Sequence, residues 1–524
     1  MTRQTEQISR QTVAAGYSQF RDRLDPVWKR IRSRFAVDTR ALAALRIALG
    51  LILLVDLVHR AGYIELFYTD AGVYPVAAYE ATYTRYNGLS IHALSGALWV
   101  QQLLFVVAGL FAVALILGYR TRLVGAVSLV LLFSLHGRNP AVLNGGDRLL
   151  RVLLFVSLVA PLGERWSVDA LRRGSARSSV TSFGTAAVLV QPIVVFTSNA
   201  ILKHRGENWY AGDALEIAMK NDVMTIYLGN ILVDYPALLT VLNYTWVILL
   251  AGSAVFLLST VGRVRALAAV AYMSVFAGMV VTMAVGLFPL VLIASVLPFL
   301  TAPFWDALAR QVPARWAERR PTAASLGPLG RPPIEQRLLE KVRERGNEFA
   351  ASYTASYARS LLTIAGVAVL VWMLLFAAAD VTDYEVPDGI DYSHLDQQSW
   401  GLYAPDPAEG YSWYVVQGTL ANGSTVDALD GGGVDFDRPP DASQEYETFR
   451  HRKFMQSVSR SGGENTSDVI AERYASWACE RANTEHDGRV EQITLYQLYQ
   501  PSPLDGKFED TYEIPVIERD CDPA

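Results

Sequence analysis

The sequence predicts an all-α polytopic membrane domain of about nine transmembrane helices, followed by a small α+β extracytoplasmic domain. Three observations predict it. Of 524 residues, 51% are hydrophobic and only 19% charged, against roughly 25% charged in an average soluble protein. Nine apolar runs reach or approach the ~17–25 residues that a helix needs to cross ~30 Å of hydrocarbon. The charge also divides by position: 29 acidic against 10 basic residues from Asp380 onward give −19, which leaves +14 for residues 1–379 within an overall −5. A mean hydropathy of +0.21 sets aside intrinsic disorder. With no Gly-X-Y period, no sustained heptad and two cysteines, collagen, coiled coil and disulfide scaffold are set aside as well.

The runs span about 41–59, 97–118, 121–136, 148–163, 182–203, 235–259, 265–284, 286–303 and 360–379. The third, fourth and eighth are short enough to be re-entrant. Cytoplasmic loops are enriched in Lys and Arg, and the segment 1–40 carries nine such residues, from Arg3 to Arg40. It is therefore expected in the cytoplasm. Alternation then places Arg120 and Arg122, the stretch Arg165 to Arg177, Arg263 and Arg265, and the basic linker 304–359 on that same side. With the membrane domain at 41–303 and a final helix at 360–379, the acidic tail 380–524 falls outside a plasma membrane. No cleavable leader precedes this pattern, so the first helix is expected to act as its own insertion signal. Within the linker, Ile334 to Phe349 reads as an amphipathic surface helix near anionic headgroups.

In the tail, Tyr411 to Leu420 and Glu491 to Tyr499 alternate as strands, with turn signals at Ala421-Asn422-Gly423 and Asp430 to Gly433. Ser467 to Ala482 has helical periodicity. Cys479 and Cys521 either pair, as an oxidising compartment allows, or stand as two buried thiols. The density of carboxylates points to a salt-loving prokaryote, because such a surface keeps a protein hydrated in concentrated salt.

Polar groups at membrane depth are costly and mark functional candidates. Arg46, Asp56, His59 and Arg60 lie on the first helix. Arg46 and Asp56 are nearly three turns apart, so each needs partners elsewhere. A second cluster, His136-Gly137-Arg138-Asn139-Pro140 with Asn144-Gly145-Gly146-Asp147-Arg148, suits either a lined cavity or a capped re-entrant turn. In the third, Asn199 and Lys203 share a helix face ahead of His204, Glu207 and Trp209. A desolvated lysine serves as a general base, whereas an exposed one snorkels. With no HExxH, CxxC, GxxxxGK[ST] or GxSxG, neither a metal, a nucleotide nor a serine nucleophile is expected, and no nucleic acid is expected as a partner.

The stretch Leu42 to Trp166, with Arg46, Phe67-Tyr68-Thr69-Asp70-Ala71-Gly72, Leu135 to Pro140 and Leu143 to Asp147, closely resembles the HTTM (horizontally transferred transmembrane) family of prokaryotic membrane proteins, which also includes the animal vitamin K-dependent gamma-carboxylase. The resemblance continues through Lys203 to Ala214 and into the tail at Gln398 to Pro407 and Trp413 to Leu420. The animal enzyme oxidises a reduced naphthoquinone with dioxygen, and the strong base so formed removes a glutamyl γ-proton before carbon dioxide adds. Its active lysine belongs to a lysine pair ahead of a Trp-x-x-Gly element. Here Trp209-Tyr210-Ala211-Gly212 follows Lys203-His204, so one lysine of the pair is replaced. Its catalytic histidine, ahead of a Trp-Ser-Val-Asp element, falls near Asn144 to Asp147, where this chain has no His, although Trp166-Ser167-Val168-Asp169 is retained.

The resemblance thus implies a quinol-dependent oxygenase or carboxylase with an intramembrane cavity. Lys203 would be the base, and Asn199, His136, Arg138, Asn144, Asp147, His204 and Trp209 would surround reduced menaquinone or a related naphthoquinol. Besides the lipid bilayer, a peptide or protein substrate at the outer domain is the partner implied. The competing expectation is a non-catalytic scaffold or transporter whose acidic outer domain binds a partner, its polar clusters lining a conduit or joining helices. The quinol reading requires Lys203 to be shielded from water and to face an apolar chamber.

Overall fold

A computed structural model of the chain describes residues 29–82, 88–311, 403–443, 445–459, 465–485, 490–501 and 510–521, with shorter pieces at 25–26, 313 and within 360–375. Most of the expected N-terminal segment, the linker helix Ile334 to Phe349 and the stretch Gln398 to Leu402 lie outside the described residues. A short antiparallel pair, β1 (Val37–Asp38) with β2 (Ser179–Val180), ties the start of the bundle to its middle. Asp38 then caps α1 (Thr39–Ala61) by accepting from the Arg40 amide.

After α1 come α2 (Leu98–Leu117), α3 (Thr121–Arg138), α4 (Gly145–Ser157), α5 (Phe183–His204), α6 (Asn208–Ala211), α7 (Ala214–Lys220), α8 (Leu228–Leu232), α9 (Pro236–Ala251), α10 (Gly262–Thr282), α11 (Phe288–Val296) and α12 (Ala302–Gln311). Among the described residues, α1, α2, α5 and α10 are long and apolar enough to cross a bilayer. A fifth span arises if α11 and α12, bent by 104° at their break, count as one. The nine apolar runs are thus of unequal kind. The fourth run gives α4, whose 13 residues extend only ~20 Å at 1.5 Å per residue. The sixth gives α9 followed by a π-helical turn at Ala254–Ser259, and the eighth bends after Pro298. The described residues of the ninth are helical.

In the tail, β3 (Gly410–Leu420), β4 (Thr425–Asp427), β5 (Val490–Pro501) and β6 (Tyr512–Asp520) form an antiparallel sheet in the order β4-β3-β5-β6. It is joined by α13 (Phe449–Val458) and α14 (Asn465–Glu485). β3, β5 and α14 match the sequence expectation. β6 and α13 do not appear in it, for physical reasons. β6 is an edge strand interrupted by Pro515. α13 buries Arg450 and Arg452 beside Phe454, Met455 and Val458, so charged residues occupy core positions and hide the apolar period.

The tail shares one apolar cluster with the adjacent end of the bundle, in which Phe67, Tyr68, Leu135 and Val142 join Phe454, Val458, Ile470 and Tyr474. Cys479 of α14 and Cys521 after β6 are disulfide-bonded across 42 residues of sequence. Closing a loop of that size limits the unfolded chain, worth about 4 kcal/mol. Reduction, or Cys479→Ser, should therefore lower the melting temperature of the protein and expose β6 to protease first. A melt and a cleavage map unchanged by reductant would contradict this.

Candidate functional site

Helix α5 begins with a reciprocal cap between Ser182 and Thr185 and ends at Arg205. Its last turn carries Lys203, which is 3% exposed. The Lys203 Nζ donates to the Tyr403 carbonyl at 2.9 Å and sits 3.6 Å from the centroid of the Trp209 ring, a cation–π geometry. Trp209 Nε1 donates to the same carbonyl at 2.9 Å. The tail therefore reaches back as a strap, Tyr403 to Asp406. The Asp406 carboxylate accepts from the backbone amides of Glu207 (2.9 Å) and Asn208 (3.0 Å). Glycine is required at Gly206, where a Cβ would lie 2.4 Å from the Pro405 carbonyl oxygen. Burial pushes the Tyr403 hydroxyl above its ordinary value, so it stays protonated as it reaches Met224 Sδ at 3.7 Å.

Beside Lys203 lies a cavity of about 370 Å³, within the range typical of small-molecule sites. Its walls come from Val195, Phe196 and Asn199 of α5, Leu215 and Met219 of α7, Leu239, Leu242 and Trp246 of α9, Met279 of α10, and Phe288 and Leu292 of α11, with Trp209 and Tyr403 beside the lysine. Aliphatic, thioether and aromatic groups make up most of the lining. Asn243 Nδ2 donates to the Trp209 carbonyl at 2.8 Å and fixes α6 against α9.

A second assembly lies apart from this cavity. Arg60, fully buried, donates to Asp56 Oδ2 (2.8 Å), Asp147 Oδ1 (2.7 Å) and the Tyr68 hydroxyl (2.5 Å), and lies 3.1 Å from His136 Nε2. From the tail, Arg450 of α13 donates to Asp56 Oδ1 (2.5 Å), to both oxygens of Asp147 (3.0 and 3.2 Å) and to the Val142 carbonyl (3.1 Å). Two guanidiniums thus balance two carboxylates. Asp56, His136 and Asp147 offer ligand atoms within 4.8 Å of one another, but the cations already occupying both carboxylates make this an ion-pair network and a poor metal site.

Of the residues assigned to one cavity by the sequence, the structure brings together Lys203, Asn199 and Trp209. The others stand elsewhere. His136 and Asp147 belong to the ion network. Arg138 donates to the Tyr68 carbonyl at 3.3 Å and lies over the Tyr74 ring. Asn144 caps α4, accepting from Gly146 and Asp147, and donates to the Val285 carbonyl. His204 is exposed, its Nδ1 2.6 Å from the Tyr210 hydroxyl. For Asn144 and Asp147 the cause is local: the complete capping box at the start of α4 commits both to the helix end, leaving Asp147 to meet Arg60 of α1 and Asn144 the Val285 carbonyl.

Arg46, at the far end of α1, donates to the carbonyls of Ile116, Leu162, Arg165 and Trp166. Asp169 accepts from the amides of Arg120 and Thr121 and from the Thr121 hydroxyl. Trp166 to Asp169 is therefore a structural clasp. Sequence reasoning missed Arg450 and Asp406. An arginine inside a tail of net −19 was the available signal for the first.

Several apolar helices around a greasy cavity, with a sheet-containing domain docked on one end, define a multi-pass membrane protein. The family model for the HTTM domain matches residues 35–305, and the chain belongs to that family, which is gamma-carboxylase-like. No curated protein and no solved structure gives a match.

Removing one partner of a buried ion network leaves a charge uncompensated and costs about 3–5 kcal/mol. Arg450→Ala should accordingly lower the melting temperature and free the tail for proteolysis. Adding Asp56→Asn to that variant should restore part of the loss. A tail equally protected in all three proteins would show that the network does not hold it.

Proposed function

We propose that this protein oxidises a membrane-borne naphthoquinol, with Lys203 as the base that takes the quinol hydroxyl proton. The single observation carrying the reading is a buried lysine amine on the wall of an apolar cavity large enough for a bicyclic ring. An amine acts as a base in its neutral form and then holds a proton. The Tyr403 carbonyl and the Trp209 face, already in contact with Nζ, would stabilise the resulting ammonium. Asn199, four residues earlier on the same face and also in the cavity wall, would orient a quinol oxygen. Overall, the quinol and dioxygen give the quinone epoxide and water.

Carboxylation has less support. The family enzyme's histidine corresponds to Asn144 to Asp147, and those side chains are committed to a helix cap and two guanidiniums. A transporter also fits less well, because a mostly apolar lining offers a hydrated solute few partners. As for orientation, the tail docks at the Asp56–Arg60 end of α1, opposite the Arg46 end where Arg165 and Arg172 lie. That separation supports a cytoplasmic basic face and an outer tail in the plasma membrane.

The test is protein in nanodiscs supplied with reduced menaquinone and oxygen, with epoxide read by mass spectrometry. Lys203→Met, which keeps the volume, should slow epoxide formation by ~10²-fold or more, the usual worth of a general base, with an unchanged melt. Equal rates in the two proteins would remove the assignment.

A further inference from the structure

The cavity has two sides with different neighbours. Toward the tail it is closed by Tyr403, whose carbonyl is held by Lys203 and Trp209. The strap beyond it is tied down again where Asn221 Nδ2 donates to the carbonyls of Ala408 (2.8 Å) and Gly410 (3.0 Å). Toward the lipid, α9 and α10 leave a slot. They meet at one level, where Trp246 and Phe276 pack edge to face at 5.5 Å and the Tyr272 hydroxyl donates to the Leu249 carbonyl. Nearer the tail, α8 contacts both helices and adds Leu228 and Leu232 to the cavity wall.

From the level of that aromatic sill toward α8, the cavity wall includes Thr245 and Leu242 on α9 and Ser274 and Gly278 on α10. Thr245 and Ser274 are exposed, and Leu242 and Leu228 are 39% and 43% exposed, although all four also line the cavity. A wall that belongs to both the interior and the lipid-facing surface is an opening. At its rim, a Cβ added to Gly278 would meet nothing within 4 Å.

We propose that the slot between α9 and α10 is a lateral portal for a ring compound bearing a long isoprenoid chain, the chain lying against Thr245, Ser274 and Gly278 while the ring sits beside Lys203. This deepens the quinol reading and rests on it. The chain, too long for about 370 Å³, stays in the bilayer. The site would thereby favour tailed quinols over water-soluble, chainless ones, since the chain keeps the ligand concentrated in the bilayer beside the opening.

Both native cysteines are in the disulfide, so Gly278→Cys introduces the one free thiol. In nanodiscs, reaction of that thiol with a lipid-soluble maleimide is followed with menaquinone or with 2,3-dimethyl-1,4-naphthoquinone, neither of which alkylates thiols at the substituted ring positions. Menaquinone should slow labelling at least tenfold and the chainless quinone less than twofold. Protection by neither, or equal protection by both, overturns the portal. Equal protection by a long-chain alcohol overturns the quinone chain as its occupant.

A second variant, Gly278→Trp, fills the slot from a position with open space. It should weaken menaquinone binding at least tenfold and leave the chainless quinone unaffected. Undiminished menaquinone binding overturns the portal while the ring site stands. Loss of the chainless quinone in Lys203→Met supports the ring site independently. Binding of neither quinone to the unaltered protein overturns both readings together.

Discussion

The architecture depends on one balanced cluster of buried charge. Asp56 and Arg60 on α1, Asp147 on α4 and Arg450 on α13 come from three separated parts of the sequence and neutralise one another away from water. Each carboxylate accepts from two guanidiniums, and Tyr68 and the Val142 carbonyl take remaining donors. Desolvation makes such a cluster expensive unless it is complete. The balance of two guanidiniums against two carboxylates offsets that cost and ties the tail to the bundle, and the ring contacts of Phe67 with Phe454 and His451 lie on the same docked surface.

Tail placement in turn shapes the cavity. With α13 anchored over α1 and α4, Arg452 reaches the carbonyls of Val223 and Ala284, and Phe449 packs against Gly286, whose φ of +66° and lack of Cβ both suit the contact. The strap then runs across the end of α5 and delivers the Tyr403 carbonyl to Lys203. One oxygen serves both the ammonium and the Trp209 N–H, so its two lone-pair directions are both used. The lysine environment is thus built by two distant parts of the chain, and neither alone completes it.

Much of this was legible in the sequence where one residue type has one physical outcome. Long apolar runs became α1, α2, α5 and α10. Asp56 and Arg46, too far apart to pair, found partners on other elements. The Asn199–Lys203 spacing put both on one face, and that face lines the cavity. What could not be read was direction. Proximity in sequence suggested that His136, Arg138, Asn144 and Asp147 would serve the same chamber as Lys203, but His136 and Asp147 meet Arg60 of α1, Arg138 reaches the Tyr68 carbonyl, and Asn144 caps α4. Run length alone also overstated the regular helix: α4 ends early, and α11 bends sharply into α12. Arg450 was hidden because its partners lie 303 and 394 residues away in sequence.

That separation bears on biogenesis. The ribosome delivers Asp56, Arg60 and Asp147 to the insertion machinery well before Arg450 exists, so the young bundle holds two carboxylates against one guanidinium. At ~5–20 residues per second, the 303 residues from Asp147 to Arg450 take roughly 15 to 60 s to synthesise. During that interval the end of the bundle must stay hydrated or lean on a chaperone, and docking of the last-made domain is the event that dries it.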